Sequence, residues 1–88
     1  MKYDLYQVLT EAGYSKQDSN YGDIISKRYQ GLYSPIKVEA IFSQDHSVVT
    51  FKYYNGGKRE FKNKTHLNEK RAYNALRDTL KNSYVKEV

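Results

Sequence analysis

The sequence predicts an α+β fold, a small two-layer α/β sandwich in which a mostly antiparallel sheet of three to four strands lies between an N-terminal and a C-terminal helix, in the order α-β-β-β-β-α. Three observations predict it: helical spacing of apolar residues at both ends, a clear period of two over 36–43, and an Asn-Gly-Gly turn between two strand-like runs. At 88 residues the chain has the length for one domain, 1–88, with a single modest core. Ten tyrosines and three phenylalanines supply large side chains to that core, although only 39% of the residues are apolar.

The first helix is expected from Asp4 as N-cap, with Leu5, Val8, Leu9 and Ala12 at helical spacing and Gly13 where a left-handed residue ends a helix. The polar stretch Ser15 to Asn20 has no period and reads as a loop. Tyr21 to Tyr29 alternates weakly around Ile24 and Ile25 and is expected to be the first strand, interrupted by Gly31 and Pro35. Ile36, Val38, Ala40 and Phe42 alternate with Lys37, Glu39, Ile41 and Ser43, which gives the second strand one buried face. Gln44-Asp45-His46-Ser47 turns the chain into VVTFKYY, and Asn55-Gly56-Gly57 turns it again into KREFK.

A three-residue loop with a bulge would set Phe51 opposite Phe61 and Lys52 opposite Glu60 in this last hairpin. Val49, Phe51, Tyr53 and Phe61 then face inward, and Thr50, Lys52, Tyr54, Lys58, Glu60 and Lys62 outward. The second helix is expected to start on Asn68, with Leu67 and Ala72 as a hydrophobic staple. Ala72, Tyr73, Leu76, Leu80 and Tyr84 form its inner stripe, and Lys70, Asn74, Arg77 and Lys81 one polar line on the other side.

The absence of cysteine excludes disulfides, thiolate metal sites and a cysteine nucleophile, and points to a reducing, cytoplasmic setting. No signal peptide and no membrane span are expected, because Asp4 and Glu11 interrupt the N-terminal apolar residues and no run is long enough to cross a bilayer. Lysine outnumbers arginine, and asparagine, tyrosine and isoleucine are common, as AT-rich coding in a low-GC bacterium or its phage would produce.

The net charge of +5 is unevenly distributed. Residues 1–50 carry five cations against six carboxylates, and residues 51–88 ten against four, so the basic character belongs to the C-terminal half. Phosphate-binding surfaces need spaced cations, and single strands also need aromatic faces on which bases stack. Lys52, Tyr54, Lys58 and Lys62 on the outer hairpin face meet both needs, and Lys64, Lys70, Arg77 and Lys81 extend the surface. The competing reading is a solvated face, since tyrosine is a good strand former and lysine protects sheet edges from aggregation.

Catalytic chemistry has few candidates. His46 and His66 are twenty residues apart without a cysteine, a spacing that fits no metal site, and no GxSxG, phosphate-binding or dinucleotide motif occurs. No cofactor and no metal are expected.

Three partial resemblances to known families accompany these residues. The span VTFKYYNGGKREFKNKTHLNEKRAYNAL resembles the sheet-plus-helix DNA-binding module of some mobile-element integrases, which implies a three-stranded sheet docked in the major groove. The α-β-β-β-α order is similar to double-stranded RNA-binding domains, with Lys70-Arg71-Ala72 where their second helix opens. DLYQVLTEAGY followed by DHSVVTFKYYNGGKR resembles the helix and histidine strand of HicA-type toxin ribonucleases, which implies a catalytic His46.

The reading carried forward is a non-catalytic basic protein contacting nucleic acid, DNA or RNA, through its C-terminal hairpin and helix. A second is a phage or mobile-element inhibitor, of the anti-defence or anti-CRISPR kind, that binds an acidic surface of a host protein. The third is a HicA-like ribonuclease. The outer sheet face with Ile41, Val48 and Tyr54 is also a candidate dimer contact.

Overall fold

Helix α1 (Leu5–Glu11) begins where the Asp4 carboxylate accepts a 3.1 Å hydrogen bond from the Gln7 N–H, one of the donors a helix start leaves unpaired. It ends at Gly13, whose φ of 106° lets the Tyr14 N–H turn back to the Leu9 carbonyl at 3.0 Å. The computed structural model describes residues 4–17, 23–31, 34–56, 59–82 and 85, without the side chains of residues 59, 61 and 62.

Five strands follow, β1 (Ser15–Gln17), β2 (Asp23–Gln30), β3 (Pro35–Phe42), β4 (Val49–Asn55) and β5 (Arg59–His66), each antiparallel to the next in the spatial order β1-β2-β3-β4-β5. Helix α2 (Glu69–Asn82) closes the fold. The α+β architecture is the one the sequence predicts, with one strand more than expected. Ser15–Gln17, expected in a loop, pairs Ser15 with Ser26 and Gln17 with Ile24. A three-residue polar edge strand is too short to show a period, so its pairing with β2 decides its conformation. The next strand starts at Asp23, and the expectation for residues 18–22 lies outside the described residues.

β3 alternates as expected: Ile36, Val38, Ala40 and Phe42 are buried, and Lys37, Glu39 and Ile41 are half-buried on the other face. β4 places Val49, Phe51 and Tyr53 on the same inner face. Both helices cover that face, with Leu5 and Leu9 from α1 and Ala72, Leu76, Thr79 and Leu80 from α2 buried against it. Burying a leucine or phenylalanine in this way contributes about 1.5–3 kcal/mol each.

The last hairpin departs from the expected register. Tyr54 pairs with Glu60 and Asn55 with Arg59 across a loop of residues 56–58, and a bulge between Tyr53 and Tyr54 then sets Tyr53 opposite Lys62, Lys52 opposite Asn63 and Phe51 opposite Lys64. Phe61 is the extra residue that the bulge leaves without a partner position in the ladder. Residue 62 therefore occupies a position on the inner side of the ladder, where it was expected outward. A second correction concerns Leu67: it is 80% exposed and staples nothing, although Asn68 caps α2 as expected by accepting from the Arg71 N–H at 3.0 Å. Tyr84 lies outside the described residues.

Candidate nucleic-acid interface

The cations of the N-terminal half are largely engaged within the fold. Lys27 Nζ donates a 2.6 Å hydrogen bond to the Ala12 carbonyl at the end of α1 and lies 5.0 Å from the centre of the Tyr29 ring. Lys37 Nζ is 3.4 Å from a Glu39 carboxylate oxygen, and Lys16 Nζ 3.9 Å from Asp23. Arg28, exposed on β2 opposite Lys37, is the exception.

The C-terminal cations differ. Among the described residues, Lys52, Lys64, Lys70, Arg71, Arg77 and Lys81 enter no ion pair. Lys70, Asn74, Arg77 and Lys81 are all exposed along α2, opposite the buried line of Ala72, Leu76, Thr79 and Leu80. At 100° per residue these four positions fall within a narrow sector of the helix, which is why one spacing in the sequence serves as both core and surface signal. Asn74, Arg77 and Lys81, together with Asp78, line a concave patch of about 490 Å³. Arg77 is steadied by the Tyr73 ring, whose centre lies 5.9 Å from its guanidinium carbon.

The hairpin residues predicted to join this surface are distributed over both faces of the sheet. Lys64 is exposed on β5 at a position opposite Phe51, on the side that α2 covers. Lys52 and Tyr54 lie on the other, open face. Lys52 is half-buried there between Glu39 of β3 and Asn63 of β5. The Tyr54 hydroxyl donates to a Glu39 oxygen at 2.7 Å, and Lys37 Nζ lies 5.8 Å from the centre of its ring. Burial first, then the hydrogen bond to Glu39 and the charges of Glu39 and Glu60, pushes the Tyr54 phenol up to about 12. Lys58 and the Lys62 side chain lie outside the described residues.

Glu39 and Asp78 were not singled out by the sequence reading. Glu39 became visible only with the cross-strand register, whereas Asp78, one residue after Arg77, was readable from the helical spacing that placed the basic line.

His46 occupies a separate corner. Its φ of 60° is the one positive value among the described non-glycine residues, set in the turn that Ser43 and Asp45 organise. Hydrogen bonds from the Ser47 side chain, the Ser47 N–H and the Ser43 hydroxyl hold the Asp45 carboxyl down at about 2. His46 Nε2 is 2.7 Å from Asp23 Oδ2, and the imidazole stacks on Tyr6 at 4.9 Å and packs against Phe42 at 5.2 Å. These contacts tie the turn between β3 and β4 to α1 and β2. Among the described residues, no group of three potential ligands is placed to hold a metal ion, and no helix is long and apolar enough to cross a membrane.

Compared with known proteins, the chain matches no family model, no curated protein and no solved structure.

Proposed function

We propose that the protein is a small non-catalytic nucleic-acid-binding module whose contact surface is the exposed face of α2, joined by the exposed Lys64 of β5. One observation carries this reading: Lys64, Lys70, Arg77 and Lys81 are exposed without an ion pair among the described residues, while Lys16, Lys27 and Lys37 are engaged within the fold. Cations that no internal carboxylate neutralises remain available to phosphate oxygens, and each phosphate contact releases condensed counterions, so affinity falls steeply with salt. Tyr54, bonded to Glu39, and Lys52, half-buried at the position opposite Glu39, are secondary to that surface.

The test is fluorescence anisotropy of labelled single-stranded and duplex oligonucleotides, DNA and RNA, at low and near-physiological salt. The expected result is binding that weakens with salt and is lost when Lys70, Arg77 and Lys81 are changed together to glutamate, with an unchanged circular dichroism spectrum. Labelled RNA recovered intact separates binding from cleavage at His46. No binding at low salt overturns the reading and directs the search to an acidic protein surface.

A further inference from the structure

Within the proposed nucleic-acid reading, on which this inference rests, we infer that the ligand is duplex DNA and that α2 enters its major groove, with Asn74, Arg77 and Asp78 facing base edges and Lys70 and Lys81 gripping phosphates on either side.

The described aromatic rings offer little stacking surface to a single strand. Binding unpaired bases requires exposed aromatic rings, each contributing a stacking surface. Among the described residues no tyrosine or phenylalanine is exposed: Phe42, Phe51, Tyr14 and Tyr53 are buried, and Tyr6, Tyr29, Tyr54 and Tyr73 are half-buried. Three of the half-buried rings already lie beside cations, Tyr29 with Lys27, Tyr54 with Lys37 and Tyr73 with Arg77.

The exposed line runs from Lys70 to Lys81, roughly 16 Å along the axis at 1.5 Å per residue. The major groove of B-form DNA, about 12 Å wide, admits an α-helix, and with α2 lying obliquely along it the middle of that line faces the base edges while its ends approach phosphates on either side. The order of residue types along α2 suits this placement, with cations at both ends and hydrogen-bonding groups between. Asparagine pairs with the adenine edge, arginine with guanine, and a carboxylate accepts from the cytosine amino group. Asn74, Arg77 and Asp78 line one recess together with Lys81. Asp78 is unfavourable toward a phosphate and useful toward a cytosine, which favours base edges over backbone as the partner of this central patch. The deep, narrow major groove of A-form RNA cannot admit α2.

The test selects bound sequences from a duplex DNA pool with a randomised centre and then compares affinities for the enriched site, a random duplex and a duplex RNA. The expected result is a short enriched core that binds more tightly than random duplex, with duplex RNA weaker than both. Asn74→Ala should shrink the ratio of specific to random affinity by about 10-fold or more. Changing Lys70 and Lys81 together to alanine should leave that ratio unchanged and reduce the slope of log affinity against log salt by about two. Duplex binding without enrichment, equal affinity for duplex RNA, or a preference for single strands overturns the groove assignment while the parent reading stands. Failure to bind any nucleic acid overturns both.

Discussion

The Lys27 ammonium on β2 closes α1 from outside, donating a 2.6 Å hydrogen bond to the Ala12 carbonyl fifteen residues earlier in the chain. A helix C-terminus carries a partial negative charge, and α1 has no basic residue of its own in its last turn. Lys27 supplies the compensating positive charge from a neighbouring strand, and a Cβ at position 13 would meet the end of its side chain at ordinary contact distance.

Lys27→Met retains most of the stem and removes the charge. We expect a loss of about 1 kcal/mol, which for a domain of this size lowers the melting temperature by about 4–8 °C. An unchanged melting curve would show that solvent satisfies the Ala12 carbonyl equally well.

The paired phenols of Tyr14 and Tyr29 make stability depend on alkaline pH. Tyr29 donates to Tyr14 at 2.9 Å, and burial, reinforced by the neighbouring Tyr29, raises the Tyr14 pKa far above the usual tyrosine range; burial raises Tyr29 as well, and takes Tyr53 to about 12. Above pH 10 the unfolded chain releases protons that the folded chain retains, so stability is complete below that pH and falls as pH rises through it. Each such proton is worth about 1.4 kcal/mol per pH unit. Tyr14→Phe removes one of them. The unfolding free energies from urea titrations at pH 9 and pH 11 should therefore lie closer together in the variant than in wild type by roughly 1 kcal/mol, whatever the variant loses at neutral pH. Parallel pH dependence in the two proteins would contradict the assignment.

Gly31 is buried at the end of β2, and a Cβ placed there would press on the Ser34 backbone carbonyl oxygen, well inside van der Waals contact. Because the obstacle is backbone, a rotamer change cannot relieve it. Gly31→Ala is expected to cost about 1–3 kcal/mol, read as a lower urea midpoint. Gly56→Ala makes a useful contrast: nothing lies within 4 Å of its Cβ, and the expense there comes from φ 63° alone.

The sequence was most informative where one physical signal dominated. β3 was legible because Ile36, Val38, Ala40 and Phe42 alternate without interruption, and the cap residues Asp4, Gly13 and Asn68 marked helix limits through side-chain chemistry that acts locally. β1 was hidden because Ser15, Lys16 and Gln17 are polar and take their conformation from β2. The hairpin register moved by three positions: pairing Phe51 with Phe61 satisfied local preference, but a loop of residues 56–58 followed by the bulge after Tyr53 aligned Phe51 with Lys64. The bulge also divided the basic surface, because its one extra residue exchanges the two faces of the strand beyond it. The polar line on α2 survived intact, since helical periodicity does not depend on a partner's register. Lys27 reaching Ala12 and His46 reaching Asp23 were unreadable, because both join residues that only the finished fold brings together.

Lys52 offers a direct comparison of the two basic faces. It stands opposite Glu39, whose carboxylate already accepts from Tyr54 and pairs with Lys37. Lys52→Glu would put two carboxylates opposite each other and destabilise the sheet by about 0.5–1 kcal/mol. If α2 and Lys64 form the contact surface, the same variant should bind duplex DNA within about threefold of wild type, the small loss reflecting long-range charge alone. Lys81→Glu should weaken binding by tenfold or more at the same salt, because it replaces a phosphate contact with a repulsion. Anisotropy titrations of the two variants side by side decide the matter: a larger loss for Lys52→Glu would move the interface to the open face of the sheet, where Arg28 also carries an unpaired charge among the described residues.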